Sequence, residues 1–404
     1  MTSSYHLEDR GKCNKNELKT STHNIPKLRF KGYNDEWKGV KLKNICSDFI
    51  VPMRDKPKEF NGNIPWCRIE DIEGNYFHGT KSNQYVSQET IDVMNLKIIP
   101  TGSVICSCSA SLGTYAINTR PIITNQTFIG LVCSDKISNH FLLNLMHTQT
   151  KKLRIIAGGT TIPYISREKF EEYNIKIPNK DEQEKIASFL TLIDKKIEKQ
   201  KELVELLKKY KRGLISAIFS QKLRFKDDNG NNYPAWKEKY IQDVCSITTG
   251  KGNTQDKEEN GVYPFYVRSP IVEKSNKYIF DGEAVLTVGD GVGTGKVFHY
   301  VNGKFNFHQR VYKMSNFSGI NGRYFYYYFS THFYDRVKRM TAKTSVDSVR
   351  MDMIAKMPIF IPTNEEQDKI INLLTNVEDI FLKNEESLFL LQEYKKGLLQ
   401  KMFI

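Results

Sequence analysis

No run of 18 apolar residues occurs anywhere in this chain, so no segment reads as a membrane-crossing helix. The stretch from Met1 to Asn24 is polar and lacks the apolar core of a secretion signal. The seven cysteines do not pair off by spacing. Cys106-Ser107-Cys108 is too tight for a zinc knuckle, and no second ligand pair follows it. Reduced thiols in a cytoplasmic protein are the expectation.

Catalytic signatures are missing too. No proline is followed by aspartate, which removes the usual Pro-Asp start of a restriction-type carboxylate pair. No Asn-Pro-Pro-Tyr or Asp-Pro-Pro-Tyr stretch exists to hold an extruded adenine. The eight histidines are scattered, without a His-Glu-x-x-His pair for zinc, so no metal site is expected. The glycine-rich stretch Gly289 to Lys296 invites a phosphate-loop reading. Asp290 stands where that loop needs glycine, and Val297 where it needs serine or threonine. The dinucleotide pattern fails there as well. A glycine-rich hairpin is the better account, and the chain is expected to have no catalytic site of its own.

What is present is basic charge and a repeat. The formal net charge is +14, which favours a polyanionic partner, most often nucleic acid. The stretch from Pro178 to Phe219 returns from Pro362 to Phe403, 184 residues on, without one insertion. Both copies read as helix. Asn179 with Glu182, and Thr363 with Glu366, have the spacing of a capping box. After the caps, apolar residues recur in steps of four and three: Ile186, Leu190, Ile193, Ile197, Val204 and Leu207 in the first copy, Ile370, Leu374, Val377, Phe381, Leu388 and Leu391 in the second. That is a heptad seam. Polar residues break it at Gln200 and Lys211, and at the matching Asn384 and Lys395. A length kept without drift marks a rigid element of roughly 54 Å. The two copies are expected to pack on each other as an antiparallel coiled coil.

The rest of the chain repeats less strictly. Lys27-Leu28-Arg29-Phe30-Lys31 with Trp37 is matched by Lys222-Leu223-Arg224-Phe225-Lys226 with Trp236. Between these entries and the helices lie short β-like runs punctuated by glycine and asparagine, such as Ser103 to Cys106 and Ala284 to Val288. Phe141 to Arg154 and Arg323 to Lys338 read as matching helices, with the aromatic cluster Tyr324 to Phe329 as helix core. The expected organisation is an α+β tandem repeat with pseudo-twofold character: a polar tail (1–25), two globular domains (26–177 and 221–361) and two spacer helices (178–220 and 362–404).

The duplicated Lys-Leu-Arg-Phe…Trp entry, the Ile-Pro-x-x-x-Glu-Gln-x-Lys-Ile segments at Ile177 to Ile186 and Ile361 to Ile370, and the Tyr-Lys-x-Gly-Leu helix ends resemble the specificity subunit of type I restriction–modification systems. The resemblance covers nearly all of the chain beyond residue 26. It implies two target recognition domains, each reading one half of a split DNA sequence. It implies that the helices set the gap and dock two methyltransferase subunits. Two restriction subunits complete the endonuclease, and S-adenosylmethionine, ATP and Mg2+ belong to those partners rather than to this chain. The other readings are a coiled-coil scaffold without DNA function and a stand-alone nuclease or methyltransferase.

The resemblance supplies no universal DNA-contacting residue, because recognition domains diverge with their targets. Candidates therefore come from side-chain chemistry at matched polar loops. In the first half these are Ser109, Ser111, Thr114 and Tyr115, then Asn125 and Gln126, then Thr160 and Thr161. In the second half they are Thr294 and Lys296, then His308, Gln309 and Arg310, then Lys343, Thr344 and Ser345. Arg310 and Lys343 stand out, since a cation serves either a guanine edge or a phosphate.

Overall fold

A computed structural model of the chain describes residues 7–9, 24–109, 111–158, 163–291, 293–340 and 348–404. It divides into two units: Met1–Glu202 with Glu385–Ile404, and Leu203–Asn384. Each long helix contributes one part to each unit.

In the first unit, six strands lie in the order Cys46–Ile50, Phe128–Cys133, Val104–Ser107, Tyr115–Asn118, Tyr76–Phe77 and Ile72–Glu73. Neighbours are antiparallel except Tyr115–Asn118 beside Tyr76–Phe77. The run Val104, Ile105 and Cys106 is apolar at successive positions because both faces of the strand are covered. Val104 and Cys106 point to the core shared with the helix Asn139–Ile156, while Ile105 points to a second core with Phe77 and Phe128.

The second unit repeats this plan with Ser246–Thr249, Val311–Ser315, Phe280–Val288, Phe298–Phe307, Tyr263–Tyr266 and Val272–Ser275. Val285 faces the helix Gly322–Met340, and Ala284 and Leu286 face the other core. The expected aromatic helix core is there: Tyr324, Phe325, Tyr327, Tyr328 and Phe329 are all buried.

One difference between the units has a local cause. Phe298–Phe307 runs unbroken and pairs at its far end, in parallel, with Tyr263–Tyr266. In the first unit the same path is cut after Asn118, and Ile123–Thr124 pairs in parallel with Ile64–Cys67 in a separate three-stranded sheet. Pro121, which has no N–H to give a ladder, sits in the break. The polar tail expected over 1–25 also differs from a plain tail, since Leu7–Asp9 forms a strand against Leu28–Phe30.

The long helices span Lys180–Phe219 and Asn364–Met402. Asn179 Oδ1 accepts from the Glu182 N–H at 3.0 Å, and Thr363 Oγ1 accepts from the Glu366 N–H at 3.3 Å. Only that half of each expected capping box is seen. The glutamates turn instead to arginines, which are stronger partners than a backbone N–H. Along the seam, Ile186, Leu190, Val204, Ile370, Leu374 and Val377 are buried. Ile193, Ile197, Leu207, Phe381, Leu388 and Leu391 are half-buried. In the first unit Lys395 Nζ lies 2.5 Å from Asp194 Oδ1, and in the second Lys211 Nζ lies 2.6 Å from Glu378 Oε1. The two lysines that interrupt the seam are therefore partners of carboxylates, at positions equivalent under the repeat. None of the described cysteines is in a disulfide. Among the described residues no helix is long and apolar enough to cross a membrane.

Candidate nucleic-acid interface

Each unit is joined to the start of a long helix through the same kind of contact. Arg29 donates from Nε and Nη2 to the two carboxylate oxygens of Glu182, both at 2.7 Å, in a site closed to solvent. Arg224 does the same to Glu366, at 3.0 and 2.6 Å, and Trp236 Nε1 adds a third donor at 3.0 Å. A planar guanidinium fork facing a carboxylate is the strongest ion-pair geometry available to side chains. The next residue completes the joint. Gln183 Oε1 accepts from the Ser138 N–H at 3.0 Å and its amide donates to Pro178 O. Gln367 accepts from the Asn321 N–H at 2.8 Å and donates to Pro362 O. Ser138 and Asn321 stand just before the helices Asn139–Ile156 and Gly322–Met340. The repeated Glu-Gln dipeptide thus ties both the entry segment and the sheet-packed helix of each unit to one helix start.

A second carboxylate joins each unit to its helices. Asp194 accepts from Asn75 Nδ2 at 2.8 Å as well as meeting Lys395. Glu378 accepts from Tyr327 Oη at 2.9 Å as well as meeting Lys211.

On this frame the first unit presents the loop that follows Val104–Ser107. Ser111 is exposed, Ser109 and Thr114 are half-buried, and Arg154 Nη2 holds the loop by donating to Leu112 O at 2.9 Å. Gly113 has φ +103°, and a Cβ there would stand 2.6 Å from Thr150 Cγ2, so no other residue fits that turn without a shift. Gln126 is exposed, and Asn125 is half-buried with its Oδ1 accepting from Thr127 Oγ1 at 2.6 Å. Tyr115 is corrected: it is buried, 3.2 Å from Thr150 Oγ1, and burial pushes its phenol up. It braces the loop from beneath.

In the second unit the Gly289–Lys296 stretch is the connection of a hairpin whose last pair is Thr287 with Phe298. Lys296 is exposed, with Nζ 5.3 Å from the Tyr334 ring. Gln309 is exposed and donates to Asn253 Oδ1 at 2.8 Å. Arg310 is exposed, its Nε 3.6 Å from Asp290 Oδ2. Two candidates are corrected because their polar atoms are turned inward. Thr294 is buried and donates to Gly291 O at 2.6 Å. His308 is buried, its Nδ1 accepts from the Arg310 N–H at 3.0 Å, and burial lowers its pKa. Thr160 and Thr161, and Lys343, Thr344 and Ser345, lie outside the described residues.

Other residues on these rims were not among the candidates. Arg68 follows the strand Ile64–Cys67, stacks 4.8 Å over the Trp66 ring and donates to Gln84 Oε1 at 2.5 Å. Lys56 lies 5.5 Å from the same ring. Arg268 follows the equivalent strand, Tyr263–Tyr266, and lies 3.6 Å from Asp290 Oδ1. The signal for them was the alternation of basic and aromatic residues at Lys56, Phe60, Trp66 and Arg68, echoed at Phe265, Tyr266 and Arg268.

A family model for the type I restriction modification DNA specificity domain matches twice, over residues 34–208 and 234–388. The specificity subunit of the type I restriction enzyme MjaIX from Methanocaldococcus jannaschii is 22% identical over 402 residues, covering 91% of this chain and 92% of that subunit. The EcoprrI specificity subunit from Escherichia coli is 23% identical over 382 residues, covering 86% and 89%. The fold is similar to the S subunit of a type I restriction–modification system from M. genitalium, with TM-score 0.66 and 16% identity over 94% of this chain and 99% of that one. It is also similar to a chain from a structure describing assembly and conformational transition of a type I R-M system, with TM-score 0.52 and 16% identity over 91% and 97%.

Proposed function

From the premise that the chain belongs to the type I restriction modification DNA specificity family, we propose that it is the subunit that reads a split DNA target, one half with each unit. It is a non-catalytic subunit, and cleavage and methylation reside in the complex it joins. The observation that carries the two-reader proposal is the pairing of matched clamps with different rims. Arg29–Glu182–Gln183 and Arg224–Glu366–Gln367 repeat the same fork and the same glutamine contacts. The polar rims of the two units differ, with Ser111 and Gln126 exposed in one, and Lys296, Gln309 and Arg310 exposed in the other.

In this reading the long helices pack antiparallel as a coiled coil and set the gap between half-sites. Supporting it, the lysine–carboxylate pairs and the shared cores bring the start of one helix beside the end of the other within each unit. The helices also dock two methyltransferase subunits, to which two restriction subunits add. The surface for docking is apolar side chains left off the seam at matched positions: Leu206 and Tyr210, and Leu390 and Tyr394, all at least half exposed. S-adenosylmethionine, ATP and Mg2+ bind those partners in the cytoplasm.

The test is single-molecule sequencing of DNA from cells expressing this chain with its methyltransferase subunit. Methyl-adenine in a split motif that disappears when this chain is deleted is the expected result. Methylation in an unbroken motif, or methylation indifferent to the deletion, overturns the reading.

A further inference from the structure

Three segments of the second unit meet beside Asp290. Gly289 N–H donates to Arg310 O at 2.7 Å, and Gly289 O accepts from the Val349 N–H at 2.7 Å. A Cβ on Gly289 would stand 2.9 Å from Arg310 O and from the Tyr312 ring, so the strand end and the Arg310 turn touch through bare backbone. The His308 N–H donates to Tyr266 O at 2.9 Å, which ties the segment leading to Arg268 to the same turn. The backbones under Asp290, Arg310 and Arg268 are thus linked to one another.

The side chains above them form a charge arrangement with one sign in excess. Arg268 Nη1 lies 3.6 Å from Asp290 Oδ1, and Arg310 Nε lies 3.6 Å from Asp290 Oδ2. Both guanidiniums are at least half exposed, while the carboxylate is three-quarters covered. At 3.6 Å neither contact is a closed hydrogen bond. The carboxylate holds two like charges near each other without occupying their donors. Each guanidinium keeps a planar fork to offer outward.

Such a fork fits two partners on DNA, the O6/N7 edge of guanine and a phosphate. The carboxylate decides between them. Placed between the arginines, it repels the full charge of a phosphate more strongly than the partial charges on a neutral base edge. The geometry points to Arg268 and Arg310 as the guanine-reading pair of the second unit, with Asp290 as their positioning residue. The proposal rests on the reading of the chain as a DNA specificity subunit and adds that the half-site read by this unit contains guanine.

The experiment compares methylated motifs from cells expressing the methyltransferase subunit with the full chain or with Arg268→Ala, Arg310→Ala, Arg310→Lys or Asp290→Asn. The full chain is expected to yield a split motif with guanine in the affected half. Each alanine variant relaxes that base by about ten- to a hundredfold, while the other half-site and the gap stay as they were. Arg310→Lys keeps the charge but not the fork, so it relaxes the base too. Asp290→Asn leaves both arginines in place and still loosens the same position, which a merely structural role would not do. If Arg310→Ala abolishes methylation altogether, the lysine variant decides. Rescue by lysine, a uniform fall in methylation with the motif unchanged, or a half-site without guanine overturns the arginine proposal. Absence of any split motif with the unaltered chain overturns the specificity reading itself, whatever the arginines do.

Discussion

Replacing Arg29 by alanine removes the guanidinium that pairs with Glu182, whose side chain has no exposed surface. Both hydrogen bonds, at 2.7 Å, are lost, and a carboxylate is left in a closed site. Breaking such a pair from one side costs about 3–5 kcal/mol, much of it the penalty of the stranded charge. Removing both partners together, as Arg29→Met with Glu182→Met, costs far less, because hydrophobic residues of similar volume replace a buried ion pair at little or no net loss. The assay is thermal unfolding of the full chain, with amide hydrogen exchange to assign transitions to units, since a two-unit chain need not melt in one step. For a unit of this size the single variant lowers the midpoint of the first unit by roughly 6–20 °C. The double variant recovers most of that. The second unit supplies a control of different stoichiometry. Glu366 accepts from Trp236 Nε1 as well as from Arg224, while Trp37 Nε1 has no partner among the described residues. Trp236→Phe therefore loses a hydrogen bond to a charged group, about 1.5–3 kcal/mol, that Trp37→Phe does not. Equal costs for Arg29→Ala and for the double variant would refute the reasoning, for the pair would then have no coupling energy.

Leu206→Ala and Leu390→Ala each remove an exposed side chain from the proposed docking surface. Affinity for the methyltransferase subunit is expected to fall about tenfold or more at each, read by titration, with the unfolding midpoint unmoved. His147 is held down to about 4 by burial and by Lys395. Its folded pKa lies below the ordinary 6.5, so its contribution is complete above pH 6.5 and is lost as pH falls toward 4. His147→Phe is expected to flatten that part of the stability profile of the first unit, followed by denaturant unfolding at stepped pH. Four residues inserted near Gln200 lengthen the first helix by roughly 6 Å and are expected to widen the gap in the methylated motif. An unchanged gap at full activity removes the spacer role.

The helices were legible because their periodicity is local and their offset is free of indels. The caps were legible as well, down to Asn179 and Thr363. Glu182 was read as half of a capping box because its true partner, Arg29, lies 153 residues away. Both motifs were visible, but nothing in either says that one holds the other. The polar interruptions Lys211 and Lys395 followed the same course, being visible as exceptions whose partners Glu378 and Asp194 only packing supplies. Candidates chosen by residue type failed where a turn or strand alternation aimed the side chain inward, as at Tyr115, Thr294 and His308. Arg268 went unseen because its significance comes from Asp290, 22 residues on and across a hairpin.

The clamps also set an angular tolerance. A helix of 40 residues is about 60 Å long. A tilt of about 3° at one end sweeps the other through about 3 Å, close to the 3.4 Å between successive bases along a strand. If the two units read the two halves of a split target, as proposed, such a lever needs joints stiffer than a single contact provides. A guanidinium fork on the glutamate, two hydrogen bonds on the glutamine and a carboxylate further along the shaft hold each helix at three separate points. On this view the accuracy of the gap is decided less by the shaft than by its hinges, and the changes that blur spacing without altering either half of the target will be found at Glu182, Gln183 and Asp194 and at their counterparts Glu366, Gln367 and Glu378.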